Sequence, residues 1–162
     1  MPSTPPQLPC EIPASPAEMR RRIGKSSEVV RGVVTSSRVI DSGPSGDRRR
    51  DTEFRFKVGE VMTGGLHAGT EVLITAIGSV QALLPVDVEH VVFLMPTQSR
   101  EGHERYGVVG GPLGRFALME SVCRLECFRR GEVVEVAEMA RDRFEEILSA
   151  ATQPGFPTLP VT

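Results

Sequence analysis

The chain has 162 residues, 40% hydrophobic and 25% charged, with a formal net charge of −2. That length suits one domain and would cramp two independent cores. The slight acidity argues against general polyanion binding, and no apolar run approaches the ~18–20 residues of a membrane span. The opening Met-Pro-Ser-Thr-Pro-Pro-Gln-Leu-Pro has neither a basic n-region nor an apolar h-region. The expectation is a cytoplasmic protein, or an extracellular or cell-surface one whose leader was replaced by a start Met.

Residues 1–14 hold five prolines and no hydrophobic period. They are expected to form an extended, Pro-rich N-terminal arm outside the core. Ser15-Pro16-Ala17-Glu18 then supplies a capping Ser, a Pro at the first helical position and a Glu three residues after the cap. A short helix is predicted from Pro16 to Ile23, stopping at Gly24, with Met19 and Ile23 as its apolar side.

Short β-type runs separated by Gly, Pro and Asp turns fill the next hundred residues. Such a run reads as a small closed or nearly closed sheet with a helix packed on it. The first strand is predicted over Glu28–Ile40, with Gly32 as a natural bulge or bend. A loop from Asp41 to Arg50 follows, carrying Arg48, Arg49 and Arg50. The second strand alternates cleanly: Phe54, Phe56 and Val58 point one way, Glu53, Arg55 and Lys57 the other, giving one buried and one wet face. Thr63-Gly64-Gly65 and Gly69 lead to a strand over Thr70–Ile77. His90–Met95 is nearly all apolar and should be central. Tyr106–Val109 and Arg115–Leu118 flank Gly110-Gly111-Pro112-Leu113-Gly114, which reads as a hairpin loop. Another strand is expected over Val122–Phe128. Val133, Val136, Ala137, Ala140, Phe144, Ile147 and Leu148 then recur at helical spacing, predicting one amphipathic helix through about Ala151 that lids the sheet. Arg141 and Glu145 stand four apart on its outer face. Residues 15–151 would thus be the domain, and 152–162 a Pro-containing tail.

Catalysis and metal chemistry have no motif here. His67, His90 and His103 are far apart and lack zinc-ligand spacing; only His103 has carboxylates beside it, at Glu101 and Glu104, and an exposed turn histidine is expected there rather than a ligand. The Gly-rich segment lacks the Lys-Ser/Thr of a phosphate loop. Asp41, Asp47, Asp51 and Asp87 are expected in turns. Neither a catalytic nor a metal residue is assigned, and no cofactor. Cys123 and Cys127 are too far apart along one strand to bond, while Cys10 can pair with Cys123 or with Cys127; three reduced thiols are equally compatible. Arg48, Arg49 and Arg50 mark a candidate binding loop, but single-strand binding also wants stacking aromatics, and only Phe54, Phe56 and Tyr106 lie near.

Cys10, Pro13, the capped helix and Ser27-Glu28-Val29-Val30-Arg31-Gly32-Val33-Val34 resemble the opening of the netrin-module and tissue-inhibitor-of-metalloproteinases family. The likeness runs through Phe54–Gly64 and Glu71–Thr75 and ends at Glu89-His90-Val91-Val92-Phe93-Leu94, covering roughly residues 10–95. It implies a mainly β, OB-like five-stranded barrel with a short N-terminal helix and a C-terminal amphipathic helix. It also implies an extracellular or cell-surface setting and a structural role for Cys10. Inhibition in that family relies on an N-terminal cysteine, and nine residues precede Cys10 here. The expected function is therefore a non-enzymatic module that binds a protein partner or its own kind. Single-stranded nucleic-acid binding is the alternative, and metalloproteinase inhibition after trimming to Cys10 the third reading.

Overall fold

The computed structural model describes residues 10–24, 26–42, 49–77, 81–97, 105–109, 114–129 and 132–153. Helix α1 spans Pro16–Ile23 as its cap signals dictate: the Glu18 amide donates to the Ser15 hydroxyl at 3.2 Å. The Glu18 carboxylate in turn accepts from the Ala14 amide at 3.1 Å. Met19 and Ile23 are buried beneath it.

Strands β1 (Glu28–Ser42) and β2 (Arg49–Thr63) form a long antiparallel hairpin, 15 residues on each arm. The register slips between Arg31 and Gly32, but the extra residue is Gly59 of β2, so the bulge expected at Gly32 lies on the strand opposite it. A Cβ on Gly32 would lie 2.0 Å from the Lys57 carbonyl oxygen, so only glycine permits that approach. Strand β3 (Glu71–Ile77) pairs antiparallel with β2, and β4 (Glu89–Thr97) antiparallel with β1. Strand β5 (Arg105–Val108) lies parallel to β3 and antiparallel to β4. The five strands therefore form a partial ring in the order β1–β2–β3–β5–β4 and back to β1.

The sheet does not stop at five strands. Strand β6 (Arg115–Leu118) pairs with β4, β7 (Val122–Arg129) with β6, and β8 (Glu132–Ala140) with β7. The result is one mainly β sheet of eight strands, followed by helix α2 (Arg141–Thr152). Strands β5 and β6 do not make the predicted hairpin. Both run antiparallel to β4 along the same edge, β5 against Leu94–Thr97 and β6 against His90–Val92. The Val109 amide bridges the gap by donating to the Phe93 carbonyl at 2.8 Å. Residues 110–113 lie outside the described residues.

Two cores result. Inside the ring, Val30, Val34, Phe54, Phe56, Val58, Ile74, Val92 and Leu94 pack with Leu83 and Leu84, which follow from a 3-10 turn at Gln81–Leu83. Outside it, Val29, Val91, Phe93, Phe116 and Leu125 pack under α1 and α2. Strand β4 sends Val92 and Leu94 inward and Val91 and Phe93 outward, so both its faces are buried and its near-continuous apolar run is explained. Rings in tilted contact, Phe93–Phe116 at 5.3 Å and Phe116–Phe144 at 5.1 Å, join β4 through β6 to α2.

The predicted long C-terminal helix is corrected at its first half. Residues 132–140 are strand β8, and the helix begins at Arg141. Val133, Val136, Ala137 and Ala140 fit a helical period by coincidence; the three β-branched residues Val133, Val134 and Val136 favour a strand once β7 offers a ladder. Nor does α2 lid the ring: Phe144, Ile147, Leu148 and Ala151 belong to the outer core. The proline-rich arm is also corrected at its end, because Ile12 is buried in that outer core. The tail beyond Gln153 lies outside the described residues.

Candidate functional site

Strand β8 ends the eight-strand order and, among the described residues, pairs only with β7. Its sequence Glu132-Val133-Val134-Glu135-Val136-Ala137-Glu138-Met139-Ala140 is exposed from Glu132 through Val136. Val133 is 45% exposed, Val134 60% and Val136 39%, a run of bare valines on a strand whose outward amides and carbonyls carry no ladder partner among those residues. An open edge with apolar side chains is a template for a further strand. Ala137 and Met139 differ: they sit opposite Leu125 and Cys123 and pack against the outer core, which anchors the strand's second half.

A bulge lies near the strand's start. Cys127 faces Glu135 and Phe128 faces Val133, so Val134 is the extra residue on β8. Behind this point the sheet is stiffened from two sides. The Cys10–Cys127 disulfide, with Cα atoms 6.1 Å apart, clamps the chain before α1 onto β7. On the other side the buried Arg115 guanidinium lies 4.8 Å from the Phe128 ring centroid and donates from Nη2 to the Glu126 carbonyl at 2.8 Å. Burial pulls the Arg115 pKa down to about 10, with Glu126 opposing. It stays a cation at neutral pH, held against an aromatic face.

Cys123 is the free cysteine, buried, its thiol pushed up to about 12 by burial. A thiol held protonated is a poor nucleophile, so its place is packing. His90, at the start of the strand expected to be central, is buried in β4 and 1% exposed. Its Nδ1 lies 2.9 Å from the Val88 carbonyl oxygen, and burial pushes its pKa down to about 4; that carbonyl opposes the shift and the nearby Arg115 charge adds to it. It is a neutral core histidine. His67 is exposed in a turn, and His103 lies outside the described residues.

Arg48 also lies outside the described residues. Arg49 and Arg50 belong to β2 rather than to a loop, with Arg50 exposed opposite Asp41 in the β1 ladder. Asp41 and Asp51 are likewise strand residues, Asp51 buried, whereas Asp87 occupies a left-handed turn at φ 65°. Asp47 is outside the described residues. The expected wet face of β2 is broken at Glu53, which is 2% exposed and held by Arg38 at 2.9 Å and Arg105 at 2.6 Å. Phe54, Phe56 and Tyr106 are buried and present no ring for stacking.

Two shallow grooves flank Arg31. One, about 410 Å3, runs along α2 past Met62, Leu148 and Thr152; the other, about 350 Å3, lies over Gly32, Lys57 and Glu89. Arg31 is already bonded to Glu145 at 2.8 Å. Arg141 reaches the same Glu145 at 3.3 Å and Glu89 at 2.9 Å, so the network ties α2 to β1 and β4. Among the described residues no three His, Cys, Asp or Glu side chains converge as metal ligands, and no helix is long and apolar enough to cross a membrane.

No protein-family model matches the chain, and no curated protein does. The β8 edge was not singled out in the sequence. The signal was there, Val133-Val134-Glu135-Val136 being strongly β-forming, but its coincidence with a helical period concealed it.

Proposed function

We propose that this chain is a non-enzymatic protein-binding or self-assembling module, carried on an OB-type barrel of the netrin and metalloproteinase-inhibitor kind. The ring order β1–β2–β3–β5–β4 supports the barrel reading. The observation that carries the function is the row of exposed valines on the terminal strand. Apolar side chains on an unpaired edge cost solubility and aggregation resistance, and binding another chain is the use that offsets that cost. The disulfide supports an extracellular or cell-surface setting, since such bonds persist in oxidising compartments. The nucleic-acid alternative loses its stacking candidates to the core, and the inhibitor reading would require Cys10 to become the first residue.

A photo-crosslinking residue placed at Val134, expressed in the source organism, tests this. Discrete adducts from Val134, absent from a control at the exposed Ala17 of α1, are the expected result. Silence at both positions and at further exposed sites across the surface would refute the reading.

A further inference from the structure

Resting on that reading, we infer that the β8 edge receives an extended segment of a partner chain as a ninth strand, and that this segment is basic at the positions facing Glu132, Glu135 and Glu138. Strand β8 has an acid at every third residue and no basic residue, and all three glutamates are exposed. Val133, Val134, Val136 and Ala137 occupy the places between them. An added strand meets these side chains directly, because cross-strand neighbours lie ~5 Å apart.

The same charges select against a second copy of the chain. Antiparallel pairing of β8 with itself about Glu135 sets Glu135 against Glu135 and, with the extra residue at Val134, places each Glu132 one step from Glu138 of the other strand. Parallel pairing in register aligns each glutamate with its twin. Like charges directly opposite are destabilising in both cases, and any shifted register shortens the ladder. A strand bearing Lys or Arg opposite the three acids and β-branched residues opposite the valines meets neither obstacle. The valines supply contact area, the outward backbone groups supply hydrogen bonds, and the glutamates set which strands are accepted.

The probe is a blocked nine-residue peptide with lysine at its third, sixth and eighth positions, the last set one place closer by the bulge at Val134, and valine or threonine elsewhere. Its control carries glutamate at those three positions. Titrated into the full chain, the lysine peptide should slow exchange of the β8 amides and bind at least about tenfold more tightly than the control. Tenfold corresponds to about 1.4 kcal/mol, the scale of a few exposed charge pairs. Replacing Glu132, Glu135 and Glu138 together by Lys should reverse the preference, with an unchanged circular-dichroism spectrum. Equal binding of both peptides, or lysine-peptide binding that leaves β8 exchange untouched, would overturn the inference. So would a dimer in light scattering that Val134→Lys dissolves, since the occupant would then be a second copy. If the lysine peptide fails while Val134 still crosslinks to a protein, the basic-strand inference falls and the module reading stands; silence of the crosslinker everywhere removes both.

Discussion

The interior of the ring and the core under the helices share strands β1 and β4 but are held by different means. The ring interior is enclosed by backbone ladders, and its phenylalanines, Phe54 and Phe56, both come from one alternating strand. The outer core draws on α1, β6, β7 and α2, which lie far apart in sequence, and a disulfide between cysteines 117 residues apart joins its first segment to β7. A ladder fixes its own register, so the ring needs no staple; two short helices on a sheet have no such guide, and there the disulfide sits. In this molecule the covalent tie lies where helices dock on the sheet without a ladder of their own to it.

The largest expected effect is on the stapled region. Replacing Cys10 and Cys127 by Ser should cost about 4–5 kcal/mol in the chain-entropy model, read as a shift in denaturation midpoint. Hydrogen exchange should rise first in α1 and the residues around Ile12, with β2 and β3 affected least. A uniform rise would break the contrast between the two cores. Phe56→Ala is the matching cut in the ring, expected to cost about 3–5 kcal/mol, with Phe144→Ala as its outer counterpart. Loss of β2 and β3 protection in the first variant and of α2 protection in the second would sharpen the comparison.

His90 gives a pH handle on the ring. Its folded pKa, near 4, is below the unfolded value of 6.5, so the unfolded chain takes up the proton first. Its contribution is therefore complete above about pH 6.5 and falls as pH drops toward 4, by about 3 kcal/mol in all. A His90→Gln variant should show a flatter stability profile than wild type across that window, measured by denaturant melts at successive pH values. Parallel profiles would contradict the burial. The smallest effect belongs to the edge: Val134→Lys should change stability by no more than about 0.5 kcal/mol while abolishing peptide binding to β8.

Local signals made much of this fold legible. Helix α1 was readable from its Ser-Pro-x-Glu start, β2 from its alternation, and the centrality of β4 from its apolar run. What escaped was decided by residues distant in sequence. Glu53 reads as a surface acid until Arg38 and Arg105, on two other strands, close over it. Glu28 is buried because its carboxylate accepts the Gly65 amide at 2.8 Å, beside Gly64 at φ +118°, where a Cβ would collide with that carboxylate. The collinear course of β5 and β6 depends on β4, and the fate of residues 133–140 on whether β7 lies alongside. The pairing of Cys10 with Cys127 rather than Cys123 likewise depends on how far along β7 the chain before α1 crosses. The candidate surface was the least legible feature, since an edge exists only once the order of strands is known.

Residue-resolved amide exchange along β8 in the full free chain tests the account most directly. An open edge predicts alternation: amides directed at β7 exchange slowly, those directed away exchange at nearly the rate of unstructured backbone, and β4 amides are slow throughout. Uniformly slow exchange along Glu132–Ala140 would mean the edge is already occupied, and the surface proposed for binding would not be free to bind.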